Sequence, residues 1–409
     1  MKATLVLILL CLFSTMALAD ATIYSPNGTA AVDRQLFGVH SWGLPSGTTP
    51  WPAAQLGSYR TWDSGAVWAS IETSRGHYNW SRLDQIVNVM SSRGVTVLFN
   101  FARTPQWASS SPWKTCGGGP GQCMAPYSMT DWGNWVRAVA TRYKGRIRYY
   151  ELWNETDAWN WWSGTTPQMV QMARVAYPII KSVDPRAIVV SPSPQGINGY
   201  KWMDGFLAQG GGSYVDVIAF HGYVTHPGGY TAAPETWVTI ANNIRNTMNK
   251  YHVYKPVIDT ELSWGQNWQL ASATGQSAFV ARIYILHWLY GVNRAFWDVW
   301  DNGNYGTLYH NYLLPGGVSY TYLSKWLVGA AMDKCIQFSN GSWACHLSRP
   351  GGYQAWILWN VYGNTTWHLA SSLNLRVERT LSGGKWAISP SAYLTIGTVP
   401  ILVESWSVF

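Results

Sequence analysis

The sequence is poor in charged residues and has few long apolar runs. Only 12% of its 409 residues are charged, whereas 47% are hydrophobic, and this balance excludes an intrinsically disordered chain. After residue 19 no stretch reaches the roughly 18 consecutive apolar residues that a transmembrane helix requires. No cluster of basic residues with interleaved aromatic side chains is present, so nucleic acid is not an expected partner.

The one marked apolar run lies at the N-terminus. The segment MKATLVLILLCLFSTMALAD begins with a lysine and continues with an apolar stretch that ends at Ala17-Leu18-Ala19. This pattern is typical of a secretory signal peptide over residues 1–19, with cleavage before Asp20. We therefore expect a secreted or periplasmic protein without a membrane anchor, and we expect it to be a monomer.

Cysteine is scarce, and so are the motifs of metal and nucleotide sites. Beyond the N-terminal run four cysteines remain, in two close pairs. In an exported protein they predict the local disulfides Cys116–Cys123 and Cys335–Cys345. A zinc site is the alternative, but no C-x-x-C spacing is present. The sequence also has no H-E-x-x-H, P-loop or G-x-G-x-x-G motif, so we expect neither a metal ion nor a cofactor.

Aromatic residues, in contrast, are abundant. The chain contains 27 tryptophans and 24 tyrosines. Their flat apolar rings fit the faces of pyranose sugars, although such rings also fill protein cores. The composition therefore permits a carbohydrate-binding surface without requiring one.

Residues 36–330 alternate between short apolar segments and helix-like segments. Strands are predicted within 36–40, 57–63, 95–102, 147–155, 187–196, 215–223, 256–261 and 294–302. Helices are predicted near 50–56, 81–92, 129–143, 167–184, 200–211, 234–251, 274–291 and 319–331, on the basis of apolar spacing and capping residues. Eight strands alternating with helices predict an α/β fold, a (β/α)8 TIM barrel.

The flanking segments follow a different pattern. Residues 331–409 alternate between apolar and polar side chains, with Asn-Gly, Gly-Gly and Gly-Asn turns between the runs. This is typical of a small C-terminal antiparallel β-sandwich domain. Residues 20–35 are predicted to form one or two strands that either stand apart or join this domain. The domain itself either supports the barrel or binds sugar.

Two glutamates stand at the predicted tips of barrel strands. Glu155 follows Asn154 in YYELWNETD at strand four, and Glu261 closes PVIDTE at strand seven. These tips face each other across the mouth of a barrel, which is where such enzymes place catalytic groups. Glycosidic bond hydrolysis requires a carboxylic acid to protonate the leaving group and a carboxylate nucleophile. The alternative for each glutamate alone is a salt-bridged loop residue.

These motifs resemble the clan A retaining glycoside hydrolases, and most of all family 39. The resemblance rests on E-x-W-N-E at 151–155, I-x-T-E at 258–261 and W-x-x-I-E-x-x-x-G-x-Y-x-W at 68–80. It implies that Glu155 is the acid/base and Glu261 the nucleophile. It also implies that Asn154 binds the substrate's 2-hydroxyl group. Thr156 departs from the pattern, because a proline is usual there.

The resemblance also implies roles for residues around the two glutamates. Arg60 and Tyr223 are expected to orient Glu261 and keep it ionised. Arg60 has an alternative partner in Glu151, which would otherwise be a buried charge. Further residues are expected to line the substrate site, with buried structural roles as the alternative: His40, His221, Trp297 and Trp264. Other tryptophans that follow barrel strands are candidate sugar platforms: Trp42, Trp62, Trp107, Trp159, Trp161, Trp162 and Trp268.

The sequence therefore predicts a secreted retaining β-glycosidase. We expect it to hydrolyse O-glycosidic bonds of a polysaccharide or oligosaccharide by double displacement, and to be endo-acting. Two alternatives remain at this point: a non-catalytic carbohydrate-binding barrel, and a transglycosylase that uses the same residues. The identity of the sugar does not follow from the sequence.

Overall fold

The computed structural model describes residues 21–25, 30–225, 231–301 and 303–406. The predicted signal peptide, residues 1–19, lies outside these ranges. Within them, no helix combines the length and apolar character needed to cross a membrane.

Eight parallel strands form a barrel. They are Phe37–Val39, Ser58–Arg60, Thr96–Asn100, Tyr149–Glu151, Ile188–Val190, Ile218–His221, Val257–Leu262 and Ala295–Trp297. Consecutive strands pair with each other except the fifth and sixth, and the eighth pairs with the first. The fifth and sixth strands meet through a bridge between Val190 and Val217, where the Ser191 amide donates to the Val217 carbonyl at 2.9 Å. The predicted TIM barrel is confirmed.

Helices surround the barrel strands. The longer ones are Ser81–Ser92, Met129–Arg142, Thr166–Val183, Gly199–Ala208, Trp237–Lys250, Ala273–Leu289 and Pro315–Leu327, and short ones are Gly43–Ser46 and Trp68–Ile71. Local sequence sets their ends. The Thr165 hydroxyl oxygen accepts a hydrogen bond from the backbone N–H of Gln168. The Gln168 side-chain oxygen accepts one from the backbone N–H of Thr165. This capping box starts one helix, with Pro167 in its first turn.

The helix predicted near residues 50–56 is absent. The segment is irregular, and the nearest helical turn is Gly43–Ser46. Pro50 and Pro52 explain the difference, because a proline disfavours the helical conformation of the residue before it.

The C-terminal strands form antiparallel sheets. A seven-stranded sheet contains Ala21–Tyr24, Ala331–Phe338, Ser342–Arg349, Tyr353–Asn360, Ile401–Glu404, Val377–Thr380 and Lys385–Ala387. The N-terminal strand Ala21–Tyr24 pairs along Ala331–Phe338. A second sheet pairs Thr365–His368 with Tyr393–Ile396. The predicted boundary between barrel and β domain at residue 330 stays a prediction.

Alternation along these strands places the large sheet between two apolar cores. In Ser342–Arg349, Trp343 and Cys345 join the core shared with the barrel, whereas Ala344 joins a separate core on the other face. Successive strand residues point to opposite faces, so one strand serves both cores. The β-sandwich character predicted from the sequence is therefore present.

Both predicted disulfides are present. Cys116–Cys123 closes a loop that follows the third barrel strand. Cys335–Cys345 joins directly opposed residues of two neighbouring strands. The pairing within each close pair is the one that the sequence predicted.

A stack of buried aromatic rings supports the side of the barrel near the second and third strands. Trp135 is completely buried, and its ring is stacked on Trp68 and Trp80 with centroids 5.8 and 5.9 Å apart. Tyr78 stacks on Trp80, and the Glu72 carboxylate accepts a hydrogen bond from the Trp68 indole at 2.7 Å. The motif at 68–80 is thus a packing motif, whose aromatic residues surround Trp135.

Replacing the central ring of this stack should destabilise the protein strongly. We expect Trp135→Ala to lower the free energy of unfolding by about 3–5 kcal/mol, because a large cavity replaces the ring. Urea denaturation of both proteins measures the difference. The matched control is Trp113→Ala, because Trp113 is 81% exposed, and this change should stay within about 0.5 kcal/mol. Equal effects of the two substitutions would contradict the packing role.

Candidate active site

The two glutamates predicted from the sequence lie at the same end of the barrel. Glu261 belongs to the seventh strand, as expected. The fourth strand ends earlier than predicted, at Glu151, and Glu155 follows in a turn with φ of 44°. This left-handed conformation lies outside the range of a regular strand, so Glu155 is presented by a turn rather than by the strand itself.

Arg60, at the end of the second strand, connects the fourth and seventh strands. Its Nε donates to Glu151 Oε2 and its Nη1 to Glu261 Oε2, both at 2.7 Å. Its Nη2 donates to Asn154 Oδ1 at 2.6 Å. The two partners considered from the sequence, Glu261 and Glu151, are therefore bound at the same time. Burial favours neutral Glu151, but the charge of Arg60 and hydrogen bonds from Arg60 and Asn100 hold its pKa below the ordinary value.

Both carboxylate oxygens of Glu261 accept hydrogen bonds. Oε2 accepts from Arg60, and Oε1 accepts from the Tyr223 hydroxyl at 2.8 Å. Burial raises the pKa of Glu261 above its ordinary value, the nearby Glu155 adds to this, and the charges of His221 and Arg60 oppose it. Two donors on two different oxygens fix the plane of the carboxylate.

Glu155 has a different environment. Its Oε1 lies 3.2 Å from Nδ1 of His221, which is its hydrogen-bond partner. Burial raises the pKa of Glu155 to about 7, the negative charge of Asp63 contributes in the same direction, and the charge of Arg60 opposes it. Glu155 thus retains its proton at neutral pH far more readily than an ordinary glutamate. Unequal environments of this kind separate the roles of paired carboxyl groups.

The two carboxyl groups are close neighbours. An oxygen of Glu155, an oxygen of Glu261 and a ring nitrogen of His221 lie within 4.8 Å of one another. Burial lowers the pKa of His221, which favours its neutral form. The predicted residues Arg60, Asn154, His221 and Tyr223 are therefore brought together around Glu155 and Glu261.

His40 lies at the base of the same site. Its Nε2 faces the Thr260 carbonyl at 3.0 Å, and its Nδ1 faces Asp63 Oδ2 at 2.7 Å. A carbonyl oxygen only accepts, so a hydrogen must lie on Nε2, and the short contact with Asp63 calls for a second hydrogen on Nδ1. Burial alone would lower the pKa of His40, but the hydrogen bond to Asp63 raises it overall. His40 is therefore a charged partner of Asp63.

Trp264 and Trp297, which were expected to line the substrate site, are packed inside the protein instead. Trp264 is completely buried against Trp297 and Phe279, and a Cβ atom on Gly316 would lie only 2.8 Å from its ring. Trp297 is also completely buried, and its indole donates to the Gly306 carbonyl at 2.6 Å. Neither ring offers an exposed face to a sugar. The prediction failed because contacts from distant segments cover both rings: Gly316 of the last helix lies against Trp264, and the Gly306 carbonyl binds the Trp297 indole.

Sequence reasoning missed a cavity lined by residues that follow the first, second, third and eighth barrel strands. It has a volume of about 350 Å³ and is lined by Trp42, Trp62, Asp63, Gly65, Val67, Arg103, Asp298, Val299 and Tyr305. This lies at the lower end of the range of small-molecule sites. Asp63 and Asp298 each follow a barrel strand, which is the same signal that identified Glu155 and Glu261. Applying that signal to aspartates would have found both.

Two groups of side chains in the described ranges have donor atoms close enough together to bind a cation. They are His40 with Asp63 and Asp298, and Glu155 with His221 and Glu261. Hydrogen bonds within the protein explain both groups, since His40 binds Asp63 and His221 binds Glu155. These arrangements are suited to proton transfer and charge stabilisation.

Removing the charge at the centre of the site should cost much stability. Arg60→Met would leave Glu151, which is completely buried, without a cation. We expect the free energy of unfolding to fall by about 3–5 kcal/mol, as measured by urea denaturation near neutral pH. The control is Arg75→Met, because Arg75 pairs with Asp131 at 2.8 Å but its side chain is 70% exposed; about 0–1 kcal/mol is expected. A loss of that small size in Arg60→Met would contradict the role given to Arg60.

Comparison with known proteins agrees with this geometry. The family model "Cellulase (glycosyl hydrolase family 5)" matches residues 59–303, which is more than half of the chain. No curated protein sequence matches.

Similar solved structures are glycoside hydrolases of low sequence identity. A family 39 glycoside hydrolase from the gut symbiont Bacteroides cellulosilyticus WH2 has a TM-score of 0.71 at 16% identity, covering 91% of this chain and 81% of that chain. A monomeric β-xylosidase from Caulobacter crescentus CB15 has a TM-score of 0.65 at 16% identity, covering 93% and 97%. CelM2, a bifunctional glucanase-xylanase from a metagenome library, has a TM-score of 0.62 at 14% identity, covering 94% and 98%.

The structural neighbours share the architecture of barrel and antiparallel sheets, and the family model covers most of the barrel, including Arg60, Glu155 and Glu261. The expected resemblance to clan A is therefore confirmed, with the family model adding family 5 to the family 39 likeness. The chain is a glycoside hydrolase, and it belongs to the cellulase family, glycosyl hydrolase family 5, of clan A.

Proposed function

We propose that this protein is a secreted, retaining β-glycosidase that cleaves a polysaccharide or oligosaccharide within the chain. Glu155 is its acid/base and Glu261 its nucleophile. The observation that carries this proposal is the pair of buried carboxyl groups within 4.8 Å of each other, one held by Arg60 and Tyr223 and the other with a pKa raised to about 7.

The first step forms a covalent intermediate. A carboxylate oxygen of Glu261 attacks the anomeric carbon while the glycosidic C–O bond breaks. Glu155 gives its proton to the departing oxygen, so the leaving group departs as a neutral alcohol. The products are a glycosyl ester of Glu261 and an ionised Glu155.

The second step releases the sugar. Glu155, now a carboxylate, takes a proton from a water molecule whose oxygen attacks the anomeric carbon. The ester bond to Glu261 breaks, so both glutamates regain their starting states. Two displacements at one carbon restore the original configuration.

The surroundings of Glu261 support the nucleophile role. Arg60 and Tyr223 bind its two oxygens, so the carboxylate is oriented before substrate arrives, and charge-assisted bonds of this kind favour its ionised form. Asn154 supports a substrate contact. Its Oδ1 accepts from Arg60, which leaves the buried Nδ2 group, unpartnered among the described residues, free to donate to a sugar hydroxyl.

The spacing of the carboxyl groups supports retention. Retaining enzymes hold the two groups about 5–5.5 Å apart, whereas inverting enzymes leave about 6.5–9.5 Å for a water molecule. The nearest oxygens of Glu155 and Glu261 lie within 4.8 Å of each other, which is closer to the separation in retaining enzymes than to that in inverting enzymes.

Exposed aromatic rings support a polymeric substrate and internal cleavage. Such rings follow five of the barrel strands: Trp42, Trp113, Trp159, Trp268 and Tyr312. An exposed ring can stack on the apolar face of a sugar. Several of them around one barrel mouth suit a chain that extends on both sides of the cleaved bond.

Two further observations bear on location and substrate. The sequence typical of a signal peptide and the two disulfides support export into an oxidising compartment. Similar structures include a β-xylosidase and a glucanase-xylanase, so xylan and β-glucan are the first substrates to test.

Azide should rescue variants of the two glutamates with opposite stereochemistry. Glu261→Ala removes the nucleophile, so azide attacks directly in one displacement and should give an α-glycosyl azide. Glu155→Ala leaves the glycosyl ester intact, so azide acts in the second displacement and should give the β-glycosyl azide. NMR of the azide product distinguishes the anomers. Turnover of Glu261→Ala at the wild-type rate without azide would rule out the nucleophile.

The pH dependence should follow the proton on Glu155. Because its pKa is raised to about 7, kcat/KM should fall as pH rises through about 7, where the acid loses its proton. The acid limb of the profile belongs to Glu261, which must be ionised. Because its pKa is raised, the loss of activity on acidification should begin at a higher pH than for an ordinary glutamate. In Glu155→Gln, assayed with an activated aryl glycoside, the basic limb near 7 should vanish. An unchanged basic limb would assign it to another group.

A further inference from the structure

The Tyr223 hydroxyl lies between two carboxyl groups. Its oxygen is 2.8 Å from Glu261 Oε1 and 2.8 Å from Asp298 Oδ2. A phenol has one hydrogen, so it donates to only one of these oxygens. The other short contact requires a hydrogen on a carboxyl group. Glu261 and Asp298 therefore cannot both be ionised in this arrangement.

The neighbouring charges decide which group carries that hydrogen. Glu261 Oε2 accepts a charged hydrogen bond from Arg60 at 2.7 Å, which favours the ionised form. Among the described residues, the cation that pairs with Asp298 is His40, whose Nδ1 is 4.0 Å from Oδ1 and already binds Asp63 at 2.7 Å. The hydrogen thus belongs on Asp298.

Charged and titratable groups from several elements surround Asp298. Glu261 and Asp63 are negative, His40 and Arg103 are positive, and the phenols of Tyr223 and Tyr305 lie nearby. Burial, and then the charges of Glu261 and Asp63, raise the pKa of Asp298 well above its ordinary value, while His40 and Tyr223 oppose this. Geometry and charge point to the same state.

We propose that Asp298 is a positioning residue for the nucleophile, a neutral carboxylic acid that donates its hydrogen to Tyr223 and so directs the Tyr223 hydroxyl to Glu261. The role given to Glu261 rests on the proposed function. The two hydrogen bonds run in one direction, from Asp298 through Tyr223 to Glu261, and each strengthens the other. An ionised Asp298 would instead compete with Glu261 for the Tyr223 hydrogen.

The first test needs no substrate. Carbon-13 NMR of the full chain, with labelled aspartate carboxyl groups, follows each carboxyl group through a pH titration, and Asp298→Asn identifies the Asp298 signal. The signal should remain that of a protonated acid at pH 7, whereas an ordinary aspartate ionises near about 4. In Glu261→Gln the Asp298 signal should titrate at lower pH, because a neighbouring negative charge is gone. Ionisation of Asp298 near about 4 in the wild type would overturn the proposal.

The second test separates positioning from general support of the fold. Asp298→Ala should lower kcat about tenfold, since the loss of one hydrogen bond is worth about 1.4 kcal/mol. Asp298→Asn should recover most of this loss, because its amide can donate to Tyr223 in the same way. Combining Asp298→Ala with Tyr223→Phe should be no worse than Tyr223→Phe alone, because Asp298 acts through Tyr223.

The opposite results are equally clear. An Asp298→Asn variant as impaired as Asp298→Ala, or effects of Asp298→Ala and Tyr223→Phe that multiply, would overturn the proposal. Azide products that contradict Glu261 as nucleophile would overturn the proposed function alone. The NMR titration would still decide the protonation of Asp298, so the two failures are distinguishable.

Discussion

The site depends on one buried guanidinium group. Arg60 binds Glu151, Asn154 and Glu261 with its three nitrogens, and these acceptors come from the fourth strand, the segment after it and the seventh strand. An arginine can do this because its donors form a rigid planar fork, whereas a lysine offers a single point charge. Glu151 and Glu261 would otherwise be adjacent buried negative charges, so the site could not hold both ionised without Arg60.

Around this centre the same side-chain type acquires two roles. Glu261 is bound on both oxygens by Arg60 and Tyr223, whereas Glu155 is buried with a histidine as its recorded partner. In the proposed mechanism, the difference in donors, rather than in burial, separates the nucleophile from the acid/base. Asp298 is the next residue in this network. Because it donates its own hydrogen to Tyr223, the Tyr223 hydroxyl can donate to Glu261. The protonation pattern is thus set by a continuous set of hydrogen bonds from Asp298 to Arg60.

The barrel and its two glutamates could be predicted from the sequence because both depend on short-range patterns. Apolar strands and amphipathic helices have characteristic periods, and Glu155 and Glu261 each stand at the predicted tip of an apolar strand. What escaped prediction depends on contacts between distant segments. Trp264 is buried because Gly316 of the last helix lies against it. The partners of Tyr223 come from the seventh strand and from the segment after the eighth. Pro50 and Pro52, in contrast, are evident in the sequence itself, and they argue against the helix predicted near residues 50–56.

The most direct test of the two-glutamate mechanism is the configuration of the newly released sugar. Proton NMR of the anomeric region, recorded immediately after the enzyme is mixed with a β-linked oligosaccharide that it cleaves, identifies the first anomer formed before mutarotation. Double displacement through Glu261 predicts that the β-anomer appears first and that the α-anomer grows in later. Initial release of the α-anomer would mean a single displacement by water, and would contradict the mechanism.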